Sequence, residues 1–328
     1  MVAGPPVLPS LPPMPLEAWA DTKATLHRFA QIIGKIRLAA SQRSNHWWNV
    51  PFHVTGSGIT TRPMGDAPVF TIDFDFVDHR LVIRTLDGRH LSLPLAGHSV
   101  ATFYRDTLDA LAALGIDVTI ERPWPFGLGD ATPFAQDTGH AAYDPRWVTR
   151  YWQVLTRVAL ILEAFAARFS GKTSPVHHFW HTFDIAVTRF SERRIDHPPE
   201  VDPVTREAYS REVISSGFWF GDEQSPAPAF YSYTAPEPPG LATEPLQPAA
   251  AEWVAQNGSH LAVLRYDDVR AQADPPATAL AFLERAYRAG ARLAGWDLDA
   301  LACPDGVTDP GSGVASDGPR ASGPAGSG

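Results

Sequence analysis

Leu26, Phe29, Ile32, Ile33 and Ile36 recur at helical spacing, so one face of this stretch is built for burial and a helix is predicted from about 17 to 40. Asp21 sits where a carboxylate favours the positive end of that helix. The period then changes. From 50 to 94, β-branched and aromatic runs are cut by Gly56-Ser57-Gly58, by Pro63 to Pro68 and by Asp87-Gly88, which predicts an antiparallel meander. Within it Ile72, Phe74 and Phe76 alternate with Asp73 and Asp75, giving one core face and one face that is wet or part of a site. His98-Ser99 starts a second helix, whose Val100, Phe103, Leu108, Leu111 and Leu114 form a buried stripe that Gly115 ends.

The same order then recurs. Asp144-Pro145 starts a long helix, about 145 to 169, carrying Tyr151, Val154, Leu155, Val158, Leu162 and Phe165. Phe183, Ile185 and Val187 alternate as in a strand, and Asn257-Gly258 marks a hairpin turn before Leu261. Landmarks match in sequence order: Gly34-Lys35 with Gly171-Lys172, His46-Trp47-Trp48 with His178-Phe179-Trp180, and Asp78-His79-Arg80-Leu81 with Ser259-His260-Leu261. The closing helices end on Leu114-Gly115-Ile116-Asp117 and Ala294-Gly295-Trp296-Asp297. The pattern predicts an α+β protein of two similar helix, antiparallel-meander, helix units, related by a pseudo-twofold and packed as one body. A ligand site is expected at their seam. The divisions are a proline-rich arm (1–15), a first unit (16–121), a linker (122–142), a second unit (143–302) with a proline-rich insertion at 192–250, and a disordered tail (303–328).

Composition narrows the classes. With 328 residues, 44% of them hydrophobic, the chain has ample material for a core. A net charge of -9 lacks the electrostatic footprint of a nucleic-acid binder. No apolar run of about 18 residues predicts a membrane span, and no export signal precedes residue 16. Cys303 is the one cysteine, which fits a reducing compartment and makes the cytoplasm the expected location. Two of the three lysines stand in the repeated Gly-Lys pairs, whose glycines are read as helix caps or close-packing points.

The densest chemistry is His177-His178-Phe179-Trp180-His181-Thr182-Phe183-Asp184. On a helix, His177, His181 and Asp184 share a face and form a set able to hold a divalent metal, the one cofactor these residues suggest. On a strand, His177 and His181 share a face while His178 and Asp184 point away. Pro175 before the segment and β-branched residues after it favour the strand. The catalytic candidates are His177, His178, Tyr209 and Glu212, the last two preceding the small and aromatic run Ser215-Ser216-Gly217-Phe218-Trp219. The ligand-binding candidates are His46, Trp48, Asn49, Asp73, Asp75, Trp180 and Trp219, because aromatic walls with a few polar handles suit a pocket. Each has a plainer reading as core packing or solvated surface. Two functions follow: an enzyme acting on a small polar molecule, metal-assisted if the metal set forms, or a non-catalytic small-ligand, peptide-binding or scaffold protein.

The strings NHWWNVP (45–51), IDFDFVDHRL (72–81), SPVHHFWHTFD (174–184) and REAYSREV with GFWFG (206–221) together resemble a widespread bacterial family catalogued as a domain of unknown function. The resemblance covers about residues 15 to 300. It implies a compact single-chain unit and assigns no activity to any residue.

Overall fold

Three helices begin where the sequence writes Asp-Pro, because the carboxylate accepts from the free first-turn N–H groups and proline has none to leave unpaired. They are α3 (Pro145–Ala166), capped by Asp144, α4 (Pro203–Ala208), capped by Asp202, and α6 (Pro275–Leu293), capped by Asp274. The computed structural model describes residues 11–308. The first ten residues of the expected arm and residues 309–328 of the expected tail lie outside the described residues. The first half runs α1 (Ala20–Ala40), β1 (His53–Val54), β2 (Gly58–Thr60), β3 (Phe70–Asp75), β4 (Arg80–Thr85), β5 (His90–Pro94) and α2 (Val100–Ala113). After α3 the second half runs β6 (His177–His178), β7 (Ile185–Arg194), α4, β8 (Arg211–Trp219), β9 (Ala229–Ala235), β10 (Glu252–Gln256), β11 (Ser259–Arg265), α5 (Tyr266–Arg270) and α6. The architecture is α+β, with two antiparallel sheets ordered β1-β2-β3-β4-β5 and β10-β11-β9-β8-β7-β6. None of the described helices is long and apolar enough to cross a membrane.

The two sheets touch through their shortest strands. Phe52 N–H donates to His178 O at 2.8 Å, and His178 N–H returns to Phe52 O at 3.0 Å. This antiparallel rung puts His53 opposite His177, with ring centroids 5.2 Å apart. Phe52, Phe74, His178, Ile185, Phe218 and Phe230 lie on the buried side of the paired sheets. There Phe29 of α1 stacks on Phe103 of α2 at 3.9 Å, and Tyr151 of α3 packs against Phe76, Phe183 and Phe220 at 4.6 to 6.0 Å. One hydrophobic cluster, from Leu11 to Trp296, spans both halves.

Each half's long helix also grips the other half. An atom in place of a hydrogen on Gly34 of α1 would lie 2.2 Å from the Trp180 ring, so only glycine admits the indole here. Trp180 Nε1 in turn donates to Val50 O at 3.1 Å. Reciprocally, Trp152 of α3 donates from Nε1 to Thr55 O, between β1 and β2, at 3.2 Å.

Several expectations change. The segment 175–191 is not one strand: residues 179–184 turn sharply between β6 and β7, with Phe183 at φ 62°, because Phe179 N–H and Asp184 O close the turn at 2.8 Å. The region 192–250 is no irregular insertion but supplies β8 and β9, which lie inside the second sheet. His46 and His178 occupy unlike places: His46 lies in a 3-10 turn, Asn45–Trp47, outside the sheets, whereas His178 is a strand residue. Residues 11–14 are docked rather than an extended arm, with Leu11 and Met14 buried and Tyr266 donating to Pro12 O at 2.8 Å. Cys303 is likewise buried, its N–H on Arg168 O at 3.1 Å, so the tail begins later than residue 303. The linker 122–142 is pinned to α1, where Gln31 and the Phe126 backbone exchange hydrogen bonds of 2.7 and 3.0 Å.

Two predictions follow from this packing. Gly34→Ala gains about 1 kcal/mol of helix propensity but overpacks Trp180, which costs about 1–3 kcal/mol. Its melting temperature should fall, with altered tryptophan fluorescence; a rise would contradict the contact. His27 and His178 are buried, and desolvation drives both imidazoles down to about 3. Their folded pKa lies below the unfolded value near 6.5, so the unfolded chain binds more protons between those limits. Stability is then full above pH 6.5 and is lost toward pH 3, on the order of 1 kcal/mol per histidine per pH unit. Urea midpoints should decline from pH 6.5 to 4.5, and a flat profile would show that the rings are not held neutral.

Candidate functional site

Strand pairing decides which side chains face outward from the second sheet. Across one row His177 pairs with Ala186, Ala186 with Gly217, and Gly217 with Tyr231. In the next row Thr188 pairs with Ser215 and Ser215 with Tyr233. Cross-strand partners share a face, so these residues form the floor of a cleft on the side away from α3 and α6. The cleft, of about 2740 Å³, is walled by α1, the 117–129 segment, the 3-10 turn at Asn45–Trp47 and α4. That is larger than the roughly 300–1,000 Å³ of a small-molecule pocket. A ligand would therefore occupy only part of it.

The floor is small and polar in the middle and aromatic at its edges. A methyl on Gly217 would meet the Tyr231 hydroxyl at 2.6 Å. Its absence lets the Tyr231 ring lie across β8 and donate its hydroxyl to Asp184, which also accepts from Thr182. Burial and the Asp184 carboxylate raise the Tyr231 pKa well above its ordinary value, so this phenol stays protonated. Tyr209 and Tyr233 hydroxyls lie 2.9 Å apart, and those of Thr188 and Ser215 lie 3.0 Å apart. His177 is 1% exposed, yet neither ring nitrogen has a protein partner. Desolvation, and then His53, Arg37 and Arg62, hold it down to about 3, so its imidazole is neutral at pH 7. Trp219 Nε1 is likewise buried without an acceptor.

At the other wall His46 is fixed as a neutral ring. Lys172 Nζ donates to its Nε2 at 2.7 Å, so Nδ1 carries the hydrogen that reaches Glu207 O at 3.2 Å. Burial, followed by the Lys172 charge, lowers its pKa. The Lys172 ammonium also lies 5.2 Å from the Trp48 ring centroid. The second Gly-Lys pair thus closes a cation against the aromatic wall.

Of the expected site residues, His46, Trp48, His177, Tyr209, Trp219, Trp180, His181 and Asp184 line this cleft. Others do not. His178 faces the core, hydrogen-bonded to Tyr151, because it is one residue out of phase with His177. Glu212 is out of phase with Val213 on β8 and accepts from Ser191, Arg193 and Trp296 at 2.8–3.0 Å, tying the end of α6 to the sheet. Asn49 braces its own loop through Ser41 Oγ at 2.8 Å and the Ser44 N–H at 3.2 Å. Asp73 pairs with Arg84 at 2.7 Å and Asp75 accepts the Val77 and Asp78 N–H groups at 2.9 Å, both on the first sheet and away from the cleft. His177, His181 and Asp184 do not converge as a metal set. The turn at 179–184 separates them, and Asp184 is engaged by Tyr231 and Thr182.

The one group of described acidic and imidazole side chains within metal-binding reach is Asp130, Asp137 and His140. A guanidinium already stands there: Arg28 is 3.3 Å from both Asp130 and Asp137. The sequence reading named Ser215 only within its small and aromatic run and missed Thr188, Tyr231 and Tyr233. The alternation Ala186, Thr188, Phe190 beside Tyr231, Tyr233 was a usable sign, but pairing β7, β8 and β9 into one floor needs the register.

No curated protein and no solved structure matches the chain. A family model matches residues 11–303, and the chain belongs to the family of unknown function DUF5996.

Proposed function

We propose that the protein binds a small polar molecule on the cleft floor between His177 and Tyr231. The observation that carries this reading is the unpartnered His177 ring, which belongs to a residue lining the cleft and has both nitrogens buried; Trp219 Nε1, from another strand of the same sheet, is also unpartnered. A buried polar atom without a partner costs about 1–3 kcal/mol, and a ligand that accepts from Trp219 and exchanges a hydrogen bond with His177 removes that cost. Ala186 leaves room above the floor, and Trp48, Phe190 and Trp219 provide apolar walls. Recurrence of helix, meander and helix in each half supports reading the cleft as the seam of a duplicated unit. The single cysteine, buried and unpaired, supports a reducing compartment such as the cytoplasm.

Catalysis is a second reading, favoured by the same ring. A neutral imidazole held at a low pKa is a weak base on its own, and an anionic substrate beside it would raise that pKa and make it a stronger one. Tyr231, whose one O–H is given to Asp184, would then offer the reacting group an acceptor oxygen. In either reading the binding site is the same.

A panel of small polar metabolites tested by thermal shift should contain a member that stabilises the wild type and not Thr188→Trp, whose indole would fill the floor. At a hundredfold excess over Kd the stabilisation is about 2.7 kcal/mol, a shift of several degrees. Circular dichroism checks that the variant is folded. Equal shifts in both proteins, or none with any member, would overturn the reading.

A further inference from the structure

Three lysines stand against 24 arginines in this chain, and all three adjoin the cleft. Lys23 and Lys35 line it. Lys172 is exposed at its edge and touches three residues that line it, His46, Trp48 and Phe190. Arginine could supply charge at each place, but only lysine can shed its proton and act as a nucleophile. Lys172 has a base beside it: its Nζ lies 2.7 Å from His46 Nε2, the separation of a nucleophile and its general base. The other ring nitrogen, Nδ1, donates to the Glu207 and Ala208 carbonyl oxygens at 3.2 and 3.3 Å, which leaves the Nε2 lone pair aimed at the amine. Glu207 Oε1 also accepts the His46 backbone N–H at 2.9 Å. His46 and Trp47 are successive non-glycine residues in the left-handed region, at φ 53° and 60°. Such backbone is costly and concentrates at functional sites, and here it accompanies a His46 ring set 4.5 Å from Phe190. The Trp48 and Phe190 ring centroids each lie 5.2 Å from Nζ and hold the resting ammonium. Partial burial, and then the Arg211 charge, ease the loss of its proton against the pull of Glu207.

We propose that Lys172 forms an imine with a small aldehyde or ketone, with His46 as its general base. The free Nζ attacks the carbonyl carbon. Its two hydrogens then pass in turn, by way of His46 Nε2, to the carbonyl oxygen, which leaves as water as the Nζ=C bond forms. No oxidant or reductant takes part. The nitrogen becomes more acidic once it is bonded to a carbon bearing oxygen, so a neutral imidazole can take its proton. Trp48 and Phe190 flank the amine with apolar rings, which favours a carbonyl compound carrying an apolar or aromatic part. This site goes beyond the floor reading, since neither Lys172 nor His46 belongs to the floor.

The probe is benzaldehyde with sodium cyanoborohydride, which reduces each imine to a stable adduct that peptide mass mapping locates. At pH 7 an ordinary lysine amine is free to only about 0.04%, so a lysine with a base to help it stands out. Lys172 of the full chain should be labelled at least tenfold faster than N-acetyl-lysine in the same buffer. His46→Gln, whose amide cannot take up a proton, should slow Lys172 at least tenfold and leave the rates at Lys23 and Lys35 unchanged, with circular dichroism confirming the fold. Should that variant fail to fold, the wild-type ratio decides alone. An advantage of less than tenfold in the wild type, or a loss of less than tenfold in folded His46→Gln, would overturn the assignment. A protein that labels at Lys172 as expected but shifts with no panel metabolite keeps this site and loses the floor reading; the reverse result removes this site alone.

Discussion

The pair of backbone hydrogen bonds between Phe52 and His178 sets the relation of the two halves. β1 and β6 are two residues long, and neither would persist as a bare edge. Joined, they bring the sheets side by side and direct Phe52 and His178 inward, where His178 meets Tyr151 of α3. The next residues, His53 and His177, must then point outward. A slip of one residue would reverse both pairs, burying His53 and His177 in the aromatic core and removing His177 from the cleft. The position of the candidate site is thus a consequence of register, and Trp180 against Gly34 and Trp152 on Thr55 hold that register from both sides.

Chemistry at this site runs on hydrogen bonds between neutral groups at pH 7. His177 and His46 are held neutral by burial and nearby cations, and Tyr231 is held protonated by burial and Asp184. Asp184 already has two hydroxyl donors. Selectivity in such a site arises from donors and acceptors left unmatched, because a ligand lacking the complementary group leaves them unpaired. Charge enters at one wall, where Lys172 stands against Trp48 and His46.

Much of the fold was legible because its causes are local. Asp144-Pro145, the Ile72-Phe74-Phe76 face and the Asn257-Gly258 turn each act within a few residues, and each forms as read. What failed depends on contacts distant in sequence. β8 and β9 were hidden among prolines, although their Ile214, Phe218 and Phe230 are core residues, because the flanking breakers dominate a local reading. Matching His46 with His178 rested on likeness of strings, and pairing instead sets Phe52 against His178. His177 and His178 are adjacent in sequence, yet one faces a cleft and the other a core; composition could mark both and separate neither.

Gly217 shows how the site and the sheet compete for one position. Glycine inside a strand weakens it, by up to about 1 kcal/mol relative to alanine, and β8 lies between β7 and β9 where that loss is felt. A side chain there would strengthen the strand but would strike the Tyr231 hydroxyl and the backbone oxygen of Ile185, which its first carbon would approach to 2.4 Å. Tyr231 could then no longer reach Asp184, and that carboxylate would lose one of its two hydroxyl donors. Glycine is therefore the residue this packing requires: the strand gives up some intrinsic stability so that the Ile185 backbone and the Tyr231 ring can close over β8.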